Sequence, residues 1–346
     1  MEKILVTGAT GRLGANLVKT LVERGYEVRV FAMADDSDLK KLKDIDCEIF
    51  TGNFLDIDSI DKAVKGCDRV LHIGCVMYRP SSMSELDYWN LNVTGTFALT
   101  RACIRNNVKR LVYASTDETY NAAANWIYNP IDERHRQRPT NLYGTHKKCG
   151  EEIVLGAYRE TGLPVVVTRF ASMMVADEIL NFFNAQLVYD ICKASTDREM
   201  LPNLNPQRLD RTWIPLEDVV RDPNNLCIPR GRDYRPWRMH ISDVRDTIDG
   251  VLLAMTHDQA AGEVFHIGYS RAVTWDEVVR YIAEKTNRPV FDVCLDVYFD
   301  FELSTEKAQR ILGFDPKYGP RAMIDDALRF RAGEDIGVIQ GASYFD

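Results

Sequence analysis

The sequence predicts an α/β fold in which a doubly wound parallel sheet is joined to a smaller, mixed C-terminal lobe. Short apolar strands alternate with amphipathic helices through the first half of the chain. This alternation requires crossover connections, which make neighbouring strands parallel. Beyond about residue 175 the alternation loosens, which indicates a second architecture there. With 346 residues the chain exceeds the usual size of one domain, so we expect two closely joined lobes.

The first half supports this fold element by element. The segment KILVT at 3–7 predicts a buried strand, and leucines at 13, 17 and 21 predict a helix over 13–24 that ends at Gly25. The same pattern then predicts five further strands, at 27–32, 46–50, 68–73, 109–115 and 164–169. Between them it predicts three further helices, at 57–65, 85–106 and 143–161.

The second half predicts mainly helices, at 177–194, 242–256, 274–286, 303–312 and 320–332. Six prolines lie in the stretch 202–238, and each limits regular helix or strand around it. We therefore divide the chain into a sheet domain at 1–174, a substrate lobe at 175–332 and a tail at 333–346. Segments of the lobe such as 237–268 are expected to pack back on the sheet domain.

Composition and charge argue against several classes of function. The formal net charge is −8, whereas a general nucleic-acid binder needs a concentrated basic surface. No apolar run has transmembrane length, and the first residues enter a strand without a targeting signal. We expect a cytoplasmic protein that binds neither nucleic acid nor membrane. The eight cysteines form no C-x-x-C pair and no zinc-ligand spacing with the six histidines, which predicts no metal site.

A glycine-rich turn lies between the first strand and the first helix. Its three glycines permit positive φ, close approach of the backbone to a pyrophosphate, and tight packing of helix on strand. The helix N-terminus then offers free N–H groups to the phosphate charge. This pattern is typical of a Rossmann-type NAD(P)-binding domain, here residues 1–174. We expect the dinucleotide to contact six residues of the turn, Gly8, Thr10, Gly11, Arg12, Leu13 and Gly14.

The choice between NAD and NADP depends on the end of the second strand. An acidic residue there binds the adenosine ribose of NAD, but this strand ends without one, and Asp35 and Asp36 follow only afterwards. Arg12 or Arg29 could bind the 2′-phosphate of NADP, although solvation is the commoner fate of such arginines. We expect NAD as the cofactor, with NADP not excluded.

Five further segments follow in order along the chain: GNFLD at 52–56, LHIGC at 71–75, YGTHK at 143–147, FHIG at 265–268 and the segment 303–328. Together they resemble the extended short-chain dehydrogenase/reductases, the NAD-dependent epimerase/dehydratase family. The resemblance implies a homodimer that pairs through helices 85–106 and 143–161. It also implies cofactor contacts from ten residues, Asn53, Phe54, Ile73, Gly74, Cys75, Asn92, Ser115, Tyr143, Lys147 and Phe170.

Tyr143 and Lys147 are the candidate catalytic pair. Residues four apart share one face of a helix, so the two side chains can meet. A phenol is normally protonated at neutral pH, but a neighbouring ammonium favours the phenolate. Tyr143 could then take the proton of a substrate hydroxyl while hydride leaves the same carbon for the nicotinamide. We expect Tyr143 to act as the base and to contact the substrate.

The fifth strand ends in Thr116, Asp117 and Glu118. The resemblance implies that Thr116 binds the reacting oxygen and that Ser115 faces the cofactor. The three residues also resemble the motif of the dTDP-glucose 4,6-dehydratases, in which Glu abstracts a proton made acidic by oxidation and Asp protonates the leaving hydroxyl. Two interpretations stay open: Glu118 and Asp117 as general base and acid, or two solvated carboxylates at a turn.

Three departures from the family pattern concern the substrate. Ser172 replaces an Asn that contacts the substrate in the family, and it remains our candidate at that position. Pro236 replaces the arginine that pairs with a sugar-nucleotide phosphate, and the flanking Arg235 and Arg238 are the expected substitutes. The segment 195–238 has no family counterpart. It offers further arginines to an anionic substrate group, a solvated face or a subunit contact, namely Arg198, Arg208, Arg211, Arg221, Arg230 and Arg232.

Three functions fit these residues. The first is an epimerase or dehydratase of a sugar or nucleotide sugar that oxidises a hydroxyl transiently and returns the hydride. The second is a dehydrogenase of a sugar, sugar acid or related alcohol that releases reduced cofactor, for which Thr116, Tyr143 and Lys147 would suffice. The third is a non-catalytic NAD(P) sensor on the same fold, which the intact tyrosine and lysine disfavour.

Overall fold

The computed structural model describes residues 1–120, 126–194 and 214–341. Their strands are β1 (Lys3–Thr7), β2 (Glu27–Ala32), β3 (Glu48–Thr51), β4 (Arg69–His72), β5 (Arg110–Thr116), β6 (Val165–Phe170), β7 (Ser172–Met174), β8 (Leu226–Arg230), β9 (Arg238–Met239), β10 (Ile241–Asp243), β11 (Glu263–Ile267), β12 (Val273–Thr274) and β13 (Val290–Cys294). Their α-helices are α1 (Arg12–Glu23), α2 (Ile57–Val64), α3 (Glu85–Trp89), α4 (Gly95–Arg105), α5 (Leu142–Thr161), α6 (Ile179–Phe182), α7 (Ala185–Ala194), α8 (Val244–Thr256), α9 (Trp275–Thr286), α10 (Glu306–Leu312) and α11 (Pro320–Arg331).

Seven parallel strands form the central sheet, in the order β11-β6-β5-β4-β1-β2-β3. The chain moves outward from β1 to β3 and then returns to β4 on the other side of β1. The strand order therefore reverses between β1 and β4, and in such sheets the carboxyl ends at the reversal form a ligand-binding crevice. The predicted doubly wound parallel sheet is confirmed.

Helices cover both faces of this sheet, as the continuous apolar run of β1 requires. Ile4 and Val6 are fully buried in the core that contains α1 and α8. Leu5 points the opposite way, into the core that contains α2, α4 and α5. The inner strands are covered on both faces, and the loops that carry candidate site residues emerge at their ends.

The second half of the chain contributes both to this sheet and to a separate lobe. β11 pairs with β6 at the edge of the central sheet, and α8 packs in the same core as α1. The described part of the lobe contains three two-stranded sheets, β7 with β10, β9 with β12 and β8 with β13, around a second core that includes Trp237 and Trp275. None of the described helices combines the length and the apolar content needed to cross a membrane.

The helix predicted over 85–106 is interrupted, and this corrects the prediction. One π-helical turn at Asn90–Thr94 separates α3 from α4. Asn92 lies in that turn, where its side chain accepts a hydrogen bond from Val76 N and donates one to Val76 O, both at 2.9 Å. The widened turn thus fixes the loop after β4, a local role typical of π-helical insertions.

The helix predicted over 177–194 is also divided, into α6 and α7. Asn184 lies at the break and accepts a hydrogen bond from Leu187 N at 2.8 Å, as an N-terminal cap does. Within the proline-rich stretch, β8 forms in spite of Pro229, because a strand of a two-stranded sheet tolerates the missing N–H. Residues 195–213 of that stretch lie outside the described part of the chain.

The described part of the expected tail, residues 333–341, is packed against α1. Asn16 accepts a hydrogen bond from Ile339 N at 2.7 Å and donates one to Ile339 O at 2.8 Å. Lys19 Nζ donates to Gly337 O at 2.9 Å, and Val338 and Ile339 pack on the first core. Residues 333–341 therefore pack across the first helix as part of the fold.

A buried ion pair joins α5 to the end of β6. Arg169 donates to Glu151 through Nε at 2.9 Å and through Nη2 at 2.6 Å, and the side chains are only 5% and 2% exposed. Gln137 Nε2 donates to Glu151 at 2.8 Å, and the Ser115 hydroxyl also donates to it. The carboxylate is therefore fully paired, and so is the cation that faces it.

Replacing Glu151 by Ala should lower the free energy of unfolding by about 3–5 kcal/mol, because it leaves Arg169 buried without its counter-charge. Glu160→Ala on the same helix is the matched control. Glu160 pairs with Arg101 at 3.2 Å, but both side chains are well exposed, so its loss should cost less than about 1 kcal/mol. Urea unfolding of both variants measures the difference, and equal losses would contradict the role given to the buried pair.

Candidate active site

A cavity of about 1170 Å³ opens at the carboxyl ends of β1, β4 and β5 and continues to the C-terminal lobe. The predicted glycine turn, the end of β5 and the start of α5 all border it. A smaller pocket of about 410 Å³ lies between α1 and α8, around Arg24 and Asp249. None of the predicted site residues lines that smaller pocket, so the large cavity is the candidate site.

The glycine turn is built so tightly that side chains would not fit in it. Gly8 has φ +67°, and a Cβ on it would lie 2.4 Å from the Cα of Gly74. A Cβ on Gly14 would lie 2.0 Å from the carbonyl oxygen of Gly8. α1 begins at Arg12, directly after this turn, so its first N–H groups point toward the same space. A cradle of bare backbone at a helix N-terminus fits a pyrophosphate.

A buried histidine holds the turn against the loop after β4. His72 bonds through Nδ1 to the Thr7 hydroxyl at 2.8 Å and through Nε2 to the Thr96 hydroxyl at 3.0 Å. Thr7 in turn accepts a hydrogen bond from Gly74 N at 3.2 Å. Burial lowers the pKa of His72 to about 3, so the ring is neutral. These positioning residues carry no sequence motif of their own, and sequence reasoning missed them.

Most predicted cofactor residues border the cavity, and three do not. Those that border it are Gly8, Thr10, Gly11, Arg12, Leu13, Gly14, Ile73, Gly74, Cys75, Ser115, Tyr143, Lys147 and Phe170. Asn53 is exposed and accepts from Leu55 N, while Phe54 packs on the Phe31 ring at 4.8 Å. Asn92 is held by the loop after β4, as described above. The cavity is thus not lined by Asn53, Phe54 or Asn92, whose side chains serve local packing and hydrogen bonding.

Both arginines considered for a 2′-phosphate are bound elsewhere. Arg12 pairs with the Glu178 carboxylate and donates to Met173 O at 2.6 Å. Arg29 pairs with Glu48 at 3.0 Å, on the outer strand β3. Asp36 comes after the end of β2, where an acidic residue for the adenosine ribose is expected. The chain nevertheless folds back there, so that Asp36 accepts a hydrogen bond from the Thr10 hydroxyl at 2.7 Å. A carboxylate beside the glycine turn favours a free ribose over a phosphorylated one.

The candidate catalytic residues Thr116, Asp117, Glu118, Tyr143 and Lys147 all line the same cavity. β5 ends at Thr116, whose hydroxyl donates to Asp117 Oδ1 at 3.1 Å and accepts from Glu118 N at 3.2 Å. Lys147 is buried and donates to the carbonyl oxygen of Ala114 at 2.7 Å. The end of β5 and one face of α5 therefore meet at this point.

Asn141 links these two elements, and sequence reasoning missed it. It caps α5 by accepting from Gly144 N at 2.7 Å, and its Nδ2 donates to Glu118 Oε2 at 3.0 Å. The available signal was an asparagine directly before a predicted helix, which is a preferred N-cap. The cap sets the start of the helix that carries Tyr143 relative to the carboxylate of Glu118.

The two carboxyl groups have unusual proton affinities. Burial, with Glu118 nearby, raises the pKa of Asp117 to about 8. Burial also raises the pKa of Glu118, and the hydrogen bond from Asn141 opposes that rise. Both carboxyl groups line the cavity, where a bound ligand can reach them. Asp117 is therefore protonated at neutral pH and able to donate a proton.

Of the predicted substrate residues, Thr116, Tyr143 and Ser172 border the cavity, whereas the two arginines do not. Arg235 pairs with Asp233 at 2.5 Å and is exposed. Arg238 pairs with Asp300 at 3.2 Å and with Glu302 at 2.5 Å. Nearby carboxylates thus hold both cations away from the cavity.

The further arginines of the segment 195–238 have two outcomes. Three lie outside the described residues, namely Arg198, Arg208 and Arg211. The other three are paired with carboxylates: Arg221 with Asp218, Arg230 with Asp276 and Arg232 with Asp296.

Comparison with known proteins decides the family. Residues 4–222 match the NAD dependent epimerase/dehydratase family. A UDP-glucose 4-epimerase of Streptomyces lividans is 31% identical over 345 residues, which cover 97% of this chain and 98% of the relative. The chain is a member of the NAD-dependent epimerase/dehydratase family. A dTDP-glucose 4,6-dehydratase of Streptomyces niveus is 27% identical over 350 residues, covering 91% of this chain and 88% of the relative.

Among solved structures, a short-chain dehydrogenase/reductase superfamily protein of Agrobacterium tumefaciens with bound NAD is similar to this epimerase/dehydratase family member. The TM-score is 0.79 at 27% sequence identity, over 96% of this chain and 98% of the other. The predicted family and the prediction of an enzyme are confirmed. NAD is the cofactor of this family, and the glycine cradle and the position of Asp36 fit it.

Gly14→Ala should weaken NAD binding at least about tenfold, because its Cβ would displace the Gly8 carbonyl and open the cradle. Isothermal titration calorimetry with NAD measures the loss. Gly156→Ala in α5 is the matched control, since the nearest atom to its Cβ is 3.9 Å away, and it should keep wild-type affinity. Wild-type NAD affinity in Gly14→Ala would contradict the assignment of the cradle.

Asp117 should make stability fall as the pH rises. Its pKa is about 8 in the folded protein against 3.8 for the ordinary side chain, so between these values the folded state holds a proton that the unfolded state releases. This contribution to stability is complete below about pH 4 and is lost by about pH 8. Asp117→Asn should therefore gain stability relative to wild type as pH rises. Urea unfolding between pH 5 and 8 tests this, with the exposed Asp44→Asn as control; parallel profiles for Asp117→Asn and wild type would refute it.

Proposed function

We propose that this enzyme is a dehydratase that oxidises a sugar hydroxyl transiently, eliminates water and returns the hydride to the product. The observation that carries the proposal is the hydrogen-bonded set Thr116, Asp117 and Glu118, which shares one cavity with Tyr143 and Lys147. Reversible oxidation needs only a base and a hydroxyl-binding group. Elimination of water needs, in addition, a base that removes a C–H proton and an acid that protonates the leaving hydroxyl. The two additional carboxyl groups supply this second pair.

In the oxidation step Tyr143 removes the proton of the substrate hydroxyl, and the Thr116 hydroxyl holds the same oxygen. The buried ammonium of Lys147 favours the phenolate form of Tyr143 through its positive charge. NAD, when bound, accepts the hydride from the substrate carbon and later gives it back. Removal of one proton and one hydride converts the carbinol to a carbonyl.

In the elimination step the new carbonyl makes the neighbouring C–H bond acidic. Glu118 takes that proton, and Asp117 gives its own proton to the hydroxyl on the next carbon, which leaves as water. One C–H bond and one C–O bond break and a carbon–carbon double bond forms. The returned hydride and the proton held by Glu118 then add to this double bond, and the proton taken by Tyr143 replaces through solvent the one that Asp117 gave. The carbonyl remains in the product, and the net loss is one water molecule. A pKa of about 8 keeps Asp117 protonated for this task at neutral pH.

The relatives support the two halves of this proposal to different degrees. UDP-glucose 4-epimerases, such as that of Streptomyces lividans, support transient oxidation of a sugar. The dTDP-glucose 4,6-dehydratase of Streptomyces niveus supports elimination as well. A dehydrogenase would use the same Tyr143 and Lys147 but would have no task for Asp117 and Glu118.

We also propose that two copies of the chain pair through the helical segment 85–106, which contains α3 and α4, and through α5. Val93 and Leu99 are buried in the fold, but Leu86 and Phe97 are exposed on the same helical segment. Tyr158 on α5 is partly exposed as well. An apolar surface on the two helices is what such a pairing requires.

Tyr143→Phe should lower turnover by about 10²–10⁴-fold, because the base is removed while the ring still packs. Asp117→Asn and Glu118→Gln should block water loss yet still form reduced nicotinamide, since oxidation does not use them. Mass spectrometry of products and nicotinamide absorbance report the two steps, with glucose in free, glycosidic and nucleotide-linked forms as substrates. Tyr234→Phe, at an exposed position outside the cavity, is the matched control and should leave turnover unchanged.

Each variant can contradict a different part of the proposal. Unchanged turnover in Tyr143→Phe would remove the base and favour a non-catalytic NAD-binding protein. Unchanged water loss in both carboxylate variants would reject elimination by this pair. An isomeric wild-type product of unchanged mass would establish an epimerase in place of a dehydratase.

A further inference from the structure

We propose that Glu178 is a positioning residue that couples NAD binding to the order of the substrate side of the cavity. Its partner is Arg12, the first residue of α1, and the pair joins the glycine cradle to residues 172–183. We call these residues the linker segment, since they lead from the central sheet into the C-terminal lobe and comprise β7, α6 and the turn between them. The proposal does not rest on the proposed dehydration.

The linker segment forms part of the cavity wall. Ser172 and Met173 on β7 border the cavity, and so does Phe182 on α6. β7 pairs in parallel with β10, and His240, the residue before β10, borders the cavity as well. A shift of the linker segment relative to α1 therefore changes the distance between a bound cofactor and this wall, and with it the position of a substrate held there.

Arg12 connects the cradle to both ends of the turn in the linker segment. Its Nε donates to Glu178 Oε1 at 2.7 Å, and its Nη2 donates to Glu178 Oε2 and to the carbonyl oxygen of Met173, the latter at 2.6 Å. The side chains of Arg12 and Glu178 are only 13% and 7% exposed. A two-pronged, largely buried ion pair fixes orientation as well as distance. Movement of the first turn of α1 is therefore passed to the linker segment.

The turn in the linker segment has a backbone conformation that needs support. Ala176 has φ +50°, in the left-handed region that residues with a side chain rarely adopt. Glu178 supports the turn from within, because its Oε2 also accepts a hydrogen bond from Val175 N at 2.8 Å. The same carboxylate thus binds α1 and closes the strained turn. Without the charge of Glu178, both contacts weaken and the turn can relax.

The C-terminal residues hold the linker segment against the same helix. Arg331 Nε donates to Asp177 Oδ2 at 2.7 Å, and Gln340 Nε2 donates to Asp177 Oδ1 at 3.4 Å. Ile339, next to Gln340, is bound by Asn16, which lies one turn into α1. The linker segment is therefore joined to α1 at two neighbouring points, directly through Glu178 and indirectly through these C-terminal contacts.

NAD acts on this arrangement from the other side of the cradle. Its pyrophosphate fits the bare backbone that ends at the N-terminus of α1, where the first N–H groups stabilise its charge. Binding there restricts the first turn of α1 and hence Arg12. Bound NAD and an ordered linker segment thus stabilise each other, and a coupling of this kind is reciprocal.

Hydrogen exchange measured by mass spectrometry, with and without saturating NAD, tests this coupling. In the wild type, NAD should slow amide exchange in residues 174–182 at least about tenfold. ADP-ribose, which has the pyrophosphate but no nicotinamide, should do the same. Glu178→Gln should still be saturated by NAD in titration calorimetry, but the slowing should fall below about twofold. Asp249→Asn is the matched control, since it removes the exposed partner of Arg24 on the same helix, at 2.8 Å, and should keep the wild-type effect.

The ratio of the exchange rates with and without NAD separates coupling from a purely structural role. Faster exchange in Glu178→Gln with the wild-type ratio retained would reduce the pair to a structural contact and overturn the inference. Slowing by NAD but not by ADP-ribose would also overturn it, because the nicotinamide would then protect the cavity wall directly. Unchanged exchange in the NAD-saturated wild type would overturn it whether or not Glu178→Gln folds. The experiment uses no substrate, so its failure is distinct from failure of the proposed dehydration.

Discussion

The ion pair between Glu151 and Arg169 is the interaction on which the arrangement of the site depends. Tyr143, Lys147 and Glu151 follow one another at four-residue spacing along α5, so one helix face carries the candidate base, its ammonium and the buried carboxylate. Glu151 binds Ser115, the residue before Thr116, and Arg169 at the end of β6. Arg169 also donates to the Tyr120 hydroxyl, which bonds to His266 of β11 at 2.8 Å. Four elements are thus fixed from beneath the cavity, and their polar groups are held before any ligand arrives.

The cavity divides into three zones of different electrostatic character. The glycine turn offers backbone N–H groups, and the neutral His72 holds it in place. The middle zone contains the carboxyl groups whose pKa values are raised by burial. The zone at the C-terminal lobe is apolar, with its neighbouring arginines bound to carboxylates. The candidate proton-transfer groups therefore lie between the polar glycine turn and the described apolar residues of the C-terminal lobe.

The sequence predicted those features that depend on residues close together in the chain. The glycine turn, the four-residue spacing of Tyr143 and Lys147, and the alternation that defines the parallel sheet could all be inferred because neighbouring residues determine them. The sequence did not reveal that Arg238 meets Asp300 and Glu302, since those partners lie more than sixty positions away. Likewise, the motif around Asn53 and Phe54 was found, but packing against Phe31 decides where its side chains point. The folding back of Asp36 and the docked segment 333–341 depend on tertiary contacts of the same kind.

The central claim is that the hydride removed from the substrate returns to it. The most direct measurement is nicotinamide absorbance and product mass, recorded together while the purified enzyme turns over glucose derivatives in the presence of NAD. The account predicts a product lighter by one water, formed over many turnovers without net accumulation of reduced nicotinamide. Reduced nicotinamide that accumulates in proportion to an oxidised product would contradict it and would establish a dehydrogenase.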